Sequence, residues 1–455
     1  MAGSDGDSLT ARLAHELSVA TFTSRDHAKA KECVIDLLSC AFAAHELAWS
    51  RQARTLIDAD TNGRCRIIGS TARAPISDAV FVNAVLCHGL VRDDMHLGSV
   101  SHLGAMVIPT VLGLAETRRI TGRGLLDAII GGYEAGGRLG RAVLDVDVAR
   151  IHRPSGITGP FAAAAAGGLA LRLKPEALAT ALALAANTAA GYNEWAATGG
   201  SEMYFHAGFA ARNALTAIRL AEAGAYCSPS ALEGHAGLLA AFGKRTTAAG
   251  WLQAPTTAAE IQSVFFKEVP ACNYAQSPAQ AACALARTHT VEDRAISKVI
   301  ARVPYASAHY PGCDVAGPFA HVLQAKMSIQ YNVAAALLRG NFDESNYDPA
   351  DHPDVVALAG KVAVEIDDAL TRAYPERQAA TVVVELAGGR RLEQSVANVA
   401  PASSELVRER FLAAAATRLG RRPAARLLDF IETIETSDDV STLLTLSQPE
   451  PTNGS

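Results

Sequence analysis

The twelve residues from Val91 to His102 hold two adjacent carboxylates, Asp93 and Asp94, and two histidines, His96 and His102. They lie between two apolar stretches, 81–90 and 106–115. Carboxylates beside imidazoles are the groups that move protons near neutral pH. Two neighbouring acids cannot both face one site. One therefore orients a base or a substrate hydroxyl, while the other caps a helix or meets water. His102 precedes an apolar helix, where the positive helix end and burial favour a neutral, base-competent imidazole. His96 is the same type of group in a less favourable place.

A second cluster runs from Ile151 to Gly159 and contains His152, Arg153, Ser155 and Thr158. Read as the start of an alanine-rich helix, it offers free backbone N–H groups, a hydroxyl and a guanidinium, which together form an anion pocket. A carboxylate held there would bring its α-carbon proton within reach of His152. Gly156-Ile157-Thr158-Gly159 is no phosphate loop, since no strand precedes it. A third stretch, 205–213, places His206, Arg212 and Asn213 on an otherwise apolar helix; Arg212 reads first as a core ion pair and second as a ligand clamp. The fourth, 267–272, carries Lys267 and Cys272 at the expected domain junction, a preferred place for small ligands. Lys267 there would neutralise a substrate carboxylate.

The elements that must position these groups are mainly helices. Helical periodicity runs through 26–45, 122–144, 159–173, 175–190, 205–223 and 228–242. Their alanines and glycines imply close contact between helix axes. After Lys267 the pattern changes: 296–303 and 362–366 are short and β-branched, and 381–386 with 390–396 flank Gly388-Gly389 as a hairpin. A helix over 325–339 interrupts the strands, and 412–419, 424–435 and 440–446 return to helix. The expected fold is mostly α: a large all-helical domain from 1–266 and 400–447, a smaller α+β lid domain from 267–399, and a disordered tail over 448–455.

Composition sets outer bounds. The 455 residues are 49% apolar and 19% charged, with a formal net charge of −5. That balance argues against a nucleic-acid partner. No apolar run reaches membrane-spanning length, and the first residues do not read as a signal peptide, so the expectation is a cytoplasmic protein without a membrane segment. None of the eight cysteines forms a Cys-x-x-Cys pair, so neither a disulfide framework nor a structural zinc site is expected. The histidines lack the His-x-x-x-His or His-x-His spacing of a compact metal site.

Taken together, the clusters resemble the MmgE/PrpD family, which includes 2-methylcitrate dehydratases, cis-aconitate decarboxylases and iminodisuccinate epimerases. The stations, in order, are Phe81-Val82-Asn83 with His88 and Asp93-Asp94, and His102 with Pro109. Next come Gly131-Gly132-Tyr133-Glu134 with Arg138, and His152 with Ser155-Gly156. The later ones are His206-Ala207-Gly208 with Arg212-Asn213, Leu232-Glu233-Gly234, Lys267 with Pro270-Ala271-Cys272, and Ala325-Lys326-Met327-Ser328 with Tyr331. The resemblance implies a homodimer, without metal or organic cofactor, that removes a proton next to a carboxylate of a small acid. His102 and His152 would be acid and base, with Asp93 or Asp94 orienting one of them. Lys267 and Ser155, then His206, Arg212, Cys272 and His96, would hold substrate.

The chain also departs from the family pattern. Dehydratases and decarboxylases of the family have an acid two residues before the Asp-Asp pair, where this chain has Val91. Many have threonine directly after it, here Met95, and a lysine three residues before His206, here Met203. In cis-aconitate decarboxylases a histidine stands at the position of Cys272. These replacements imply a substrate smaller, less anionic or more apolar than methylcitrate. The expected function is a lyase that eliminates water or carbon dioxide from a small carboxylic acid. An epimerase or isomerase of a small dicarboxylate shares the first step. An inactive carboxylate-binding relative is the third reading, suggested by Val91 and Met203.

Overall fold

Glycine and alanine set the spacing of the helical body. On the helix Gly122–Val143, a Cβ added to Gly132 would lie 2.9 Å from Ala166 Cβ and 3.0 Å from the Ala162 carbonyl oxygen. One on Gly136 would lie 2.7 Å from Ala162 Cβ. The bare face lets this axis close on the helix Pro154–Ala170, which is buried from Pro154 to Gly168 and forms the centre of the body. Around it pack Gly104–Ala115, Pro175–Ala186 and Glu202–Glu222, and Ile76–His88 lies beyond, against Gly104–Ala115 and Glu202–Glu222. The computed structural model describes residues 8–57, 63–244, 250, 258–289 and 293–450.

Helix starts follow local chemistry. Thr23 and Asp26 form a reciprocal capping box on Ser24–Ala44, and the hydroxyls of Thr121 and Ser403 accept from the third residue of their helices. The central helix starts at Pro154 instead of Gly159. Proline is suited to the first helical position, and Pro160 is absorbed inside the helix. The stretch 228–242 is mostly turns, because Pro229, Gly234 and Gly237 interrupt it; only Leu238–Ala241 is helical. The expected helix 325–339 is broken into Val322–Met327 and Ile329–Arg339, with Ser328 capping the second piece.

The α+β lobe is built on a four-stranded sheet ordered Val362–Ile366, Ile296–Val303, Ala380–Leu386, Arg391–Val396. The first pair is parallel and the others antiparallel. Gly388 and Gly389, at φ 97 and 85, make the hairpin turn that side chains would resist. Gln276–Thr288 and Ile329–Arg339 pack against this sheet. The apolar core of the lobe also takes in Val91, Trp195, Met203 and Tyr204 from the helical body. The chain then returns: Ser404–Leu419 lies on Ser24–Ala44, with Phe411 edge-on to Phe42 at 6.1 Å. Gln448, placed on sequence in a disordered tail, is tied down by Arg66 and by the Ser70 carbonyl, while 451–455 lie outside the described residues. No single helix among the described residues is long and apolar enough to cross a membrane.

Substituting Gly132→Val should lower stability by about 1–3 kcal/mol, since the added carbons meet a backbone oxygen that cannot step aside. Gly360→Ala, whose nearest contact would be 3.5 Å, should change it by less than about 0.5 kcal/mol. Urea unfolding midpoints of the two variants check the contrast.

Candidate active site

The helix Ile76–His88 ends at Gly89, and the chain reverses through Val91, held at φ 59. A β-branched residue in the left-handed region is strained. The reversal brings Asp93 back onto the helix end, where His88 Nδ1 donates to Asp93 Oδ2 at 2.9 Å. Met95–His96 then pairs antiparallel with Val264–Phe265, Met95 opposite Phe265. Two residues beyond Phe265 comes Lys267, whose ammonium reaches back to the Val91 carbonyl. A second strained valine, Val100 at φ 47, closes the turn in which His96 N donates to the Ser101 carbonyl at 2.9 Å. His102 follows, its backbone N–H held by Ser155 Oγ at 3.0 Å.

One carboxylate oxygen thus meets two imidazoles. His102 Nδ1 lies 3.1 Å from the same Asp93 Oδ2, off the ideal hydrogen-bond line, and the two rings meet edge to face at 4.8 Å. The outer nitrogens face cations. Arg153 Nη2 donates to His88 Nε2 at 3.1 Å, and Lys267 Nζ stands 3.4 Å from His102 Nε2. Lys267 also donates to the carbonyls of Val91 and Ala271 at 2.9 and 3.0 Å. Arg153 Nη1 reaches Tyr310 Oη at 3.3 Å, its guanidinium lies 5.4 Å from the Trp195 ring, and Nε has no partner. Among the described residues, no carboxylate ion-pairs with either cation.

Burial governs the charge states. It would raise the Asp93 pKa, but His102 and His88 together outweigh it and hold the carboxyl well below the usual range. Burial lowers His102 to about 3 despite Asp93, so the ring is a neutral base at pH 7. It lowers Lys267 to about 8, with Asp93 opposing. Burial would raise the Cys272 thiol, yet the Cys313 thiol 3.6 Å away and the Lys267 charge bring it down to about 7.

These groups border a narrow cleft of about 20 Å³ between the helical body and the lobe. His102, Arg153, Lys267, Cys272 and Asn273 give it polarity. Val91, Met95 and Met203 all line it. The three positions where polar groups were expected are therefore apolar walls of the site itself.

The other residues singled out on sequence are placed elsewhere. Asp94 turns away from Asp93 to accept a hydrogen bond from Tyr133, and burial raises it to about 8, so it is protonated at neutral pH. His96 is consumed by Glu260 at 2.8 Å and by Ser99. Ser155 is the second residue of the helix Pro154–Ala170, in its first turn, and its hydroxyl accepts from the His102 backbone N–H. His152 is half-buried beside Tyr192 and Phe242, outside the cleft lining; its neighbour Arg153 points in. His206 does not line the cleft either, though burial and the Arg153 charge lower it to about 4. Arg212 pairs with Asp78 at 3.5 Å over the Phe81 ring. His88 was named only among the family stations, and Arg153 only as an accessory. The available signal was a histidine five residues before an acid across a helix-ending glycine.

Although the spacing of the histidines suggests no metal site, folding brings ligand atoms of His88, Asp93 and His102 within 4.8 Å of one another. A dication there would have to work against the two cations on the outer imidazole nitrogens.

A family model described as the MmgE/PrpD N-terminal domain matches residues 9–250, and one described as the MmgE/PrpD C-terminal domain matches 269–436. The chain is 30% identical over 224 residues to a cis-aconitate decarboxylase of Aspergillus terreus, covering 48% of this chain and 46% of that protein. A cis-aconitate decarboxylase-like protein of Aspergillus oryzae is 30% identical over 205 residues, 43% of this chain and 42% of its own. A cis-aconitate decarboxylase of Mus musculus is 26% identical over 399 residues, 82% and 79% of the two chains. The alignments thus span about half the length of the fungal relatives.

His102 should stay neutral, with no titration between about pH 5 and pH 8. Nitrogen NMR of labelled histidine, assigned by loss of the His102 signal in His102→Asn, checks this. A His102 midpoint near the ordinary histidine value would contradict it.

Proposed function

The chain belongs to the MmgE/PrpD family, and on that premise we propose that it is a lyase that releases carbon dioxide from a small unsaturated carboxylic acid. The observation that carries this reading is the pair of buried cations, Arg153 and Lys267, at the two ends of the His88–Asp93–His102 cluster with no carboxylate paired to either. A buried guanidinium without an anion is costly, and a substrate carboxylate relieves that cost.

Each group then has a role. Arg153 holds the carboxylate that the product retains. The departing carboxylate faces Val91, Met95 and Met203, where a charge is poorly solvated and its loss as neutral carbon dioxide is favoured. Bond breaking leaves an electron pair on carbon, which must be protonated. Lys267, still protonated at pH 7 but made more acidic by burial, supplies the proton. His102, neutral and oriented by Asp93, keeps the Lys267 ammonium in place and is the base when a proton must instead be removed. The name shared by the fungal and murine relatives supports decarboxylation over loss of water.

A second reading rests on Cys272. A thiol brought down to about 7 and lining the same cleft as His102 is a second group able to exchange a proton, as an epimerase requires.

A panel of small unsaturated di- and tricarboxylic acids, assayed for carbon dioxide release in heavy water, tests the proposal. The expected product carries one deuteron beside its retained carboxylate. Recovered substrate that has exchanged and inverted points to the epimerase instead. His102→Asn and Lys267→Met should each lower kcat by about 10²–10⁴-fold. Ligand binding without turnover, indifferent to His102, sinks both catalytic readings.

The pH profile gives a separate check. Lys267 carries its proton below about 8, so kcat/KM should fall as pH rises through that value. In Lys267→Arg that alkaline limb should disappear, because a guanidinium does not titrate there.

A further inference from the structure

The catalytic cleft is too small for the molecule it is meant to hold. At about 20 Å³ it accommodates little more than one water-sized group. Next to it lies a chamber of about 350 Å³, within the range of ligand pockets. The two spaces share a wall made of Val100 and Tyr274. Val100 is the strained residue of the His96–Ser101 turn. The Tyr274 ring lies 5.1 Å from that of Tyr310, which receives the Arg153 hydrogen bond.

The chemistry of the chamber is the opposite of that in the cleft. Its walls are Leu97, Leu144, Val146 and Ala149 on the helical side, and Pro304 and Ala306 among those on the lobe side. Among the described residues, no lysine, arginine or histidine lines it. Asp145, the one charged residue of the lining, is an anion already paired with Lys244. A carboxylate would find no cation there, only the hydroxyls of Thr371 and the tyrosines, whereas a hydrocarbon chain would leave water.

We propose that this chamber is a subsite for an uncharged apolar arm of the substrate. The substrate is then an amphiphilic acid, with its retained carboxylate at Arg153, its departing carboxylate in the cleft beside Lys267, and an alkyl or aryl group beyond Val100 and Tyr274. This rests on the reading of the cleft as a carboxylate site and adds a substrate class to it.

Calorimetric titration of the whole protein with butyrate, hexanoate and octanoate tests the chamber without requiring turnover. In the wild-type protein, affinity should rise about fourfold per added methylene. Val146→Trp and Thr371→Phe, which fill the chamber from its two sides, should flatten the series and leave butyrate affinity within about twofold of wild type. Retained butyrate binding also shows that each variant is folded. A flat series in the wild-type protein, or a steep one untouched by both fillings, overturns the proposal. Lys267→Met separates this from the reading beneath it. Loss of butyrate binding in that variant alongside a flat wild-type series removes the chamber and keeps the carboxylate site. A chain-length gain that survives with butyrate affinity unchanged keeps the chamber and removes the polar assignment.

Discussion

Asp93 must stay ionised while fully buried, and the rest of the cleft follows from that requirement. An isolated carboxylate in such a place would take up a proton. Here Oδ2 has His88 on one side and His102 on the other, and each imidazole is backed by a cation. The line runs from the Arg153 guanidinium through His88, the Asp93 carboxylate and the neutral His102 ring to the Lys267 ammonium. Removing His88 or His102 leaves the buried Asp93 carboxylate short of a partner, a loss that costs about 1–3 kcal/mol or more. Two cations flank a single carboxylate along this line, which makes the cleft an anion site. Two valines in left-handed backbone, Val91 and Val100, keep the loop in the shape that brings the line together, at about 1–3 kcal/mol each.

The helical body and the strands after Lys267 were legible in sequence because periodicity over ten or more residues is a strong signal. The strands Ile296–Val303 and Val362–Ile366 and the Gly388-Gly389 hairpin lie where short β-branched runs and paired glycines put them. Helix starts were less legible: Pro154 and Pro160 both look like first-turn residues, and only packing against Gly122–Val143 selects the earlier one.

The site itself was legible as pairs of neighbours and illegible within each pair. Asp93 faces the histidines and Asp94 faces Tyr133. Met95 lines the cleft while His96 turns to Glu260; Arg153 enters it while His152 stays outside with Phe242. In extended backbone, successive side chains leave on opposite sides. Shifting the phase by one residue would exchange every inward and outward member, and nothing local fixes that phase. The register of Met95–His96 against Val264–Phe265 fixes it in the first segment, and the start of the helix at Pro154 fixes it in the second.

The short ribbon between Met95–His96 and Val264–Phe265 joins Lys267 to the helical body ahead of the lobe that carries Cys272 and Tyr310. A space of about 20 Å³ leaves little room for water around that amine. Lys267 is tied to both sides, its ammonium donating to the Val91 carbonyl of the body and to the Ala271 carbonyl next to Cys272. Water reaching that amine removes the burial that lowers its pKa, and the group returns toward the ordinary lysine value of 10.5. The burial that narrows the cleft is thus the same feature that makes its amine a readier proton donor than a lysine in water.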